Sequence, residues 1–90
     1  MTWFEQHIDR KPGVQGGFPV IKGTRTPVRS IVALAGDPST PDYEAVQVAL
    51  SHLSLEQVQA AIAYYIDNPD LVDEDMARQK AAAEAFHSRA

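Results

Sequence analysis

The sequence contains no cysteine, so disulfide bonds, thiol catalysis and thiolate metal sites are excluded, and the absence fits a reducing cytoplasm. Its apolar runs are all far shorter than the roughly 20 residues that a membrane-spanning helix requires. The N-terminus carries Glu5, His7 and Asp9 where a secretory signal would need an apolar stretch. We therefore expect a cytoplasmic protein with no membrane contact.

Spacings that support catalysis or cofactor binding are also missing. The three histidines are isolated along the chain, and no serine lies in the sharp turn that exposes a hydrolase nucleophile. The glycines match neither the dinucleotide nor the P-loop pattern. Five acidic residues between positions 67 and 75 lack the order of an EF-hand loop, and helix capping explains them better. We expect no enzyme, no cofactor and no metal; a small hydrolase is the weakest alternative.

The chain is short and its charge is unevenly distributed. Ninety residues make one domain that buries only about two thirds of its unfolded surface, so a partner or a homodimer is expected to stabilise it. Residues 1–36 contain five basic and two acidic residues, whereas residues 37–90 contain three basic and ten acidic ones. This asymmetry marks either a face for phosphate or an acidic partner, or the ordinary unevenness of surface charge.

Residues 16–28, GGFPVIKGTRTPV, hold the strongest local signals. Residues 18–21 read as a short apolar strand, and Gly23 allows a turn that needs a positive φ. Pro27 then begins a helix over residues 27–35, with Arg29 on its outer face. The chain is therefore predicted to be mainly α-helical, with a short N-terminal β-hairpin followed by four helices. Inward stripes are expected at Val28, Ile31, Val32 and Ala35 in the first helix, Tyr43, Val46 and Leu50 in the second, and Leu55, Val58, Ile62 and Tyr65 in the third.

Two helices are predicted in the middle of the chain, joined by a short turn. Thr40 and Pro41 are expected to begin the second helix as its cap and first residue. Ser54 and Gln57 form a capping box at the start of the third helix. Such a pair matches a helix-turn-helix, whose second helix would lie in the major groove of DNA. The alternative is a helical hairpin that serves only for packing.

A last helix is predicted over residues 70–88, after the break at Asn68 and Pro69. Glu74 and Arg78 are expected to pair on its surface. Its apolar stripe is narrow, which is typical of a helix that either packs lightly on the domain or is completed by another molecule. We therefore divide the chain into a domain at residues 1–68 and a C-terminal extension at residues 69–90 that binds a partner or a second copy.

The segment GGFPVIKGTRTPV, followed by an apolar helix and by LSLEQVQAAIAYYIDNP, resembles the DUF433 family of small bacterial proteins. The resemblance implies a helix-turn-helix or winged-helix-like domain. It also implies the antitoxin of a type II toxin-antitoxin pair, whose toxin is commonly a PIN-like ribonuclease. The chain departs from the family pattern at Thr26 and over residues 36–43.

These implications assign roles to particular side chains. Operator DNA would be contacted by Lys22, Arg25, Arg29, Gln57 and Gln59. The ribonuclease would be bound by Leu71, Val72, Met76 and Phe86 in an apolar groove, with Arg78 and Lys80 near its acidic site.

Two alternatives to these roles stay open. Residues 37–67 contain five acids and no Lys or Arg, so the third helix lacks the cations that dominate DNA affinity. A protein-binding module without DNA binding is therefore the competing hypothesis. Arg25 would then have a structural role, donating to the carbonyls of a neighbouring loop.

Overall fold

The computed structural model describes residues 2–88, without the side chains of residues 86–88. Within that range the chain forms two short strands and four α-helices, which confirms a mainly helical protein with an N-terminal hairpin. The strands are β1 (Ile8–Asp9) and β2 (Val20–Ile21), and the helices are α1 (Val28–Ala35), α2 (Tyr43–Ala49), α3 (Leu55–Asp67) and α4 (Pro69–Ser88). None of these helices is both long and apolar enough to cross a membrane.

The hairpin is shorter than predicted and is closed by backbone contacts. β1 and β2 are antiparallel, with Ile8 opposite Ile21. Only the last two of the four expected residues 18–21 form β2, because Pro19 has no N–H to donate to a sheet. The carbonyl of Pro19 instead accepts from Val28 N at 3.0 Å, which places the start of α1 directly against the hairpin.

The core lies between α1, α2, α3 and the beginning of α4. The predicted stripe of α1 is confirmed, since Val28, Ile31, Val32 and Ala35 are all buried. In α3 the capping box is confirmed: Ser54 Oγ accepts from Gln57 N at 3.1 Å, and Gln57 Oε1 accepts from Ser54 N at 2.8 Å. Val58 and Ile62 are buried as expected.

Two details of the predicted helices are wrong. α2 is capped by Asp42 rather than Thr40, because Asp42 Oδ1 accepts the N–H of Ala45 at 3.0 Å, and the helix therefore begins at Tyr43, two residues later than predicted. Leu55 is 45% exposed rather than buried. The buried Leu53 fills the core at this end of α3, which leaves Leu55, the first helical residue, at the surface.

Candidate functional site

Lys22 and Arg25 lie on the turn that connects β2 to α1. The turn is fixed by Thr24, whose hydroxyl donates to the Ile21 carbonyl at 2.8 Å and accepts from Thr26 N at 3.0 Å. Gly23 has a φ of 82°, which a residue with a side chain rarely adopts. Both basic side chains are exposed. Neither has a hydrogen-bond or ionic partner within residues 2–85, so both are available to meet an anion.

The basic turn is connected to the turn between α2 and α3. Thr26 Oγ1 lies 2.8 Å from Nε2 of His52, which belongs to that second turn. Arg25 directly precedes Thr26 in the chain, so the backbone of the basic turn lies next to this contact. The contact brings together two segments that are 26 residues apart in the sequence.

Arg29 does not lie on the outer face of α1, so this part of the prediction is wrong. Its side chain is only 18% exposed, and Nε lies 3.1 Å from Oδ2 of Asp75 in α4. One terminal nitrogen donates to Gln15 Oε1 at 2.9 Å and the other to Ser30 Oγ at 3.3 Å. The guanidinium group therefore connects α1, α4 and the loop before β2. In this arrangement it is not free to contact a DNA phosphate.

Asp75 is the residue that sequence reasoning missed. Its side chain is 2% exposed, although an acidic residue in a helix normally faces water. Arg29 Nε and both carboxylate oxygens are buried without well-directed hydrogen bonds to the described residues, so their attraction is mainly Coulombic. A signal was present, because Asp75 lies three residues after the buried Val72 and one before Met76, on the inward stripe of α4.

Arg78 covers this ion pair instead of pairing with Glu74, so the predicted Glu74–Arg78 pair is wrong. One terminal nitrogen of Arg78 lies 3.9 Å from Asp75 Oδ1, and the guanidinium carbon lies 4.8 Å from the centre of the Phe18 ring. A Cβ atom added to Gly16 would lie 2.8 Å from that same nitrogen. Gly16 therefore makes room for Arg78 beside the loop.

The glutamines predicted to read DNA bases have different surroundings. Gln57 uses its side-chain oxygen in the capping box, so reading an adenine edge would require it to give up that hydrogen bond. Gln59 is half-buried. The structure brings neither of them together with Lys22 or Arg25 in a single contact.

Of the residues predicted to bind a ribonuclease, one belongs to the core. Val72 is 1% exposed and packs within the core cluster, so it is not available to a partner. Met76 packs against the same cluster and Leu71 is half-buried. Arg78 is 51% exposed and Lys80 is exposed. The side chain of Phe86 lies outside the described residues.

Beyond Met76, Arg78 is in contact with the rest of the domain, at Phe18 and Asp75. Every residue from 77 to 85 is exposed, and we call this stretch the free part of α4. Its nine residues rise about 13 Å along the helix axis. Lys80 has no partner within residues 2–85, so its charge is available to another molecule. A helix of this kind is stabilised only by its continuity with the docked turns or by a binding partner.

An open cleft of about 380 Å³ lies on another side of the domain. It is lined by Glu5, Ile8, Asp9, Arg10, Tyr64 and Asn68. Burial raises the pKa of Tyr64, and the nearby charge of Arg10 opposes that rise. The adjacent Tyr65 donates its hydroxyl to Asp73 Oδ1 at 2.8 Å, and this hydrogen bond raises the pKa of Tyr65. No nucleophile and base are paired in this cleft. In the described residues no three His, Asp or Glu side chains are grouped to hold a metal ion.

Comparison with known proteins gave a family match and a structural match. Residues 8–65 match a family described as a protein of unknown function, DUF433. The crystal structure of a DUF433 member protein from Anabaena variabilis is similar, with a TM-score of 0.67 and 32% sequence identity. The similarity covers 79% of this chain and 68% of that one. A comparison with curated proteins gave no match.

Proposed function

This chain belongs to the DUF433 family, and on that premise we propose that it is an antitoxin-type protein that binds a PIN-like ribonuclease through the free part of α4. The observation that carries the proposal is the change in burial along one helix. Val72 and Asp75 dock α4 into the domain, whereas every residue from 77 to 85 is exposed. A rigid base with a projecting helix is suited to inserting that helix into a groove of another protein.

The charge of the free part of α4 suits a nuclease that depends on a metal ion. Such enzymes hold their divalent ions with clustered carboxylates, which repel one another when no cation is bound. Lys80 would place an ammonium group among those carboxylates and would keep the metal and the RNA out. Arg78 is partly used in covering Asp75, so Lys80 is expected to contribute more.

The test is inhibition of RNA cleavage by the nuclease encoded beside this chain. We expect the full-length protein to inhibit the nuclease and Lys80→Glu to raise the inhibition constant about tenfold, as expected for loss of an interfacial charge pair. Lys22→Glu is the matched control, because it makes the same charge change at an exposed site on the basic turn. Failure of the parent chain to inhibit would refute the antitoxin role. Equal inhibition by Lys80→Glu would refute the use of the free part of α4.

A second candidate function, binding of operator DNA, is favoured by the contact between Thr26 and His52. That contact holds the basic turn beside the turn of the α2–α3 pair, which would act as a helix-turn-helix. Lys22 and Arg25 would supply the phosphate contacts that α3 lacks. Arg29 would be excluded because it is paired with Asp75.

A gel-shift experiment with the DNA upstream of the gene tests this second function at two salt concentrations. We expect the double variant Lys22→Ala/Arg25→Ala to bind at least about tenfold more weakly and with a shallower salt dependence, because two phosphate contacts are lost. Lys80→Ala is the control and should bind as the parent does. Absence of any DNA binding by the parent would leave the protein-binding module as the whole function.

A further inference from the structure

Two opposite charges line the cleft between β1 and α3 without pairing with each other. The cleft has a volume of about 380 Å³, and both Glu5 and Arg10 belong to its lining. The carboxylate of Glu5 and the terminal nitrogens of Arg10 have no hydrogen-bond or ionic partner within residues 2–85. The cleft therefore presents an anion and a cation that one bound molecule can contact at the same time.

Arg10 is held in one orientation by the loop before β2. Its Nε donates to the carbonyl of Gly17 at 2.9 Å, which fixes the plane of the guanidinium group. The two terminal nitrogens then form a fork that matches the two oxygens of a carboxylate. Gly16 and Gly17 line the open space on the other side of Arg10, so a longer ligand can extend past the guanidinium group.

The opposite wall of the cleft is formed by Tyr64 and Asn68, which are also held in place. The ring of Tyr64 packs edge-on against the buried Phe4, with the ring centres 6.3 Å apart. Asn68 Nδ2 donates to the Tyr64 carbonyl at 3.2 Å, which leaves Asn68 Oδ1 as an acceptor. Burial raises the pKa of Tyr64, so its hydroxyl is protonated at neutral pH and can donate. Ile8 and the Tyr64 ring give the lining its apolar surface.

The charges of the lining disfavour ligands that carry charge of only one sign. Glu5 and Asp9 would repel a free phosphate, and Arg10 would repel a simple amine. Asp9 Oδ2 lies 3.5 Å from Lys11 Nζ, so the unpaired carboxylate of the cleft is that of Glu5. A zwitterion, which carries one charge of each sign, is the best complement to Glu5 and Arg10.

We propose that this cleft binds a small zwitterion with an ammonium group and a carboxylate, either a free amino acid or a dipeptide with an apolar side chain. The carboxylate accepts from the two terminal nitrogens of Arg10. The ammonium group donates to Glu5 and to Asn68 Oδ1, and the apolar side chain lies against the ring of Tyr64. Because the cleft is open and the ligand is small, we expect a dissociation constant of about 0.1–1 mM.

The test is a titration of the isotope-labelled full-length protein with L-phenylalanine and with glycyl-phenylalanine, followed by NMR. We expect saturable shifts of the backbone amides of residues 5–10 and 64–68, and the tighter ligand shows which length of zwitterion fits. Two modified forms of that ligand are then compared with it. The N-acetyl form lacks the ammonium charge and the amide form lacks the carboxylate charge. Each should bind about tenfold more weakly, because one charged contact is lost.

Two variants assign the charges to particular side chains. In Arg10→Gln the ligand and its amide form should bind equally, and in Glu5→Gln the ligand and its N-acetyl form should bind equally. Each comparison is made within one variant, so a general effect on the fold cancels. Glu44→Gln is the matched control for Glu5→Gln: Glu44 is exposed on α2, outside the lining, and this variant should keep both preferences.

The outcome does not depend on the proposed function, because the titration needs neither a nuclease nor DNA. Absence of saturable shifts in the parent at about 10 mM ligand, ten times the weakest expected dissociation constant, would overturn the proposal. So would equal binding of the modified and unmodified ligands by the parent. Unchanged preferences in Arg10→Gln and Glu5→Gln would also overturn it.

Discussion

Replacing Asp75 by alanine should lower the free energy of unfolding by about 3–5 kcal/mol, the usual cost of removing one partner of a buried ion pair. The reason is the burial of Arg29, whose side chain is 18% exposed. Without Asp75 its positive charge would remain in the interior, with hydrogen bonds only to the neutral side chains of Gln15 and Ser30. Urea unfolding followed by circular dichroism measures the change.

Glu74→Ala is the matched control for this prediction. Glu74 is the exposed neighbour of Asp75 in the same helix, so the gain in helix propensity from alanine is similar in both variants. We expect Glu74→Ala to unfold within about 0.5 kcal/mol of the parent, as surface substitutions usually do. The double variant Arg29→Met/Asp75→Leu should recover most of the loss, because a well-packed apolar pair often replaces a buried ion pair without cost. Equal stabilities of Asp75→Ala and Glu74→Ala would contradict the structural role of the ion pair.

The ion pair also explains why the first part of α4 contains buried residues and the rest is exposed. Arg29 and Val72 hold its first two turns, and Arg78 closes the site against the ring of Phe18. Beyond that point no apolar side chain large enough to reach the core is present before residue 86. The beginning of α4 thus packs against the domain, whereas residues 77–85 are exposed.

The sequence predicted the elements whose signals are local. The stripe of α1 repeats at helical spacing, and the capping box of α3 lies within four residues, so neither depends on distant parts of the chain. Arg29 and Asp75 are 46 residues apart. Each charge in isolation is typical of a solvated helix surface, so only the packing of α1 against α4 could show that they meet.

The candidate site was predictable to a similar degree. Lys22 and Arg25 are exposed as expected, because a tight turn cannot bury long charged side chains. Gln57 was assigned both to the capping box and to DNA, and the structure places its side chain in the cap. Leu55 was expected in the core. Leu55 is exposed instead, because Leu53 fills that position in the core.

Replacing Val72 by alanine should lower the free energy of unfolding by about 2 kcal/mol, because two buried methyl groups are lost and a cavity is left. The side chain is almost fully buried among the core residues. Leu71→Ala removes more atoms from the next position, but Leu71 is only half-buried, so we expect a smaller loss than for Val72→Ala. Urea unfolding of both variants under the same conditions gives the comparison.

This prediction separates a core residue from a residue that binds a partner. If Val72 were part of a binding face, Val72→Ala would weaken partner binding and leave the stability of the isolated protein unchanged. In the structure Val72 is a core residue. Any loss of binding by Val72→Ala should therefore match the fraction of the protein that is unfolded, and it should disappear at a lower temperature at which the variant is folded. Lys80→Glu should show the reverse pattern, with stability within about 0.5 kcal/mol of the parent and weaker binding at every temperature, because Lys80 is exposed and has no hydrogen bond or ion pair within residues 2–85.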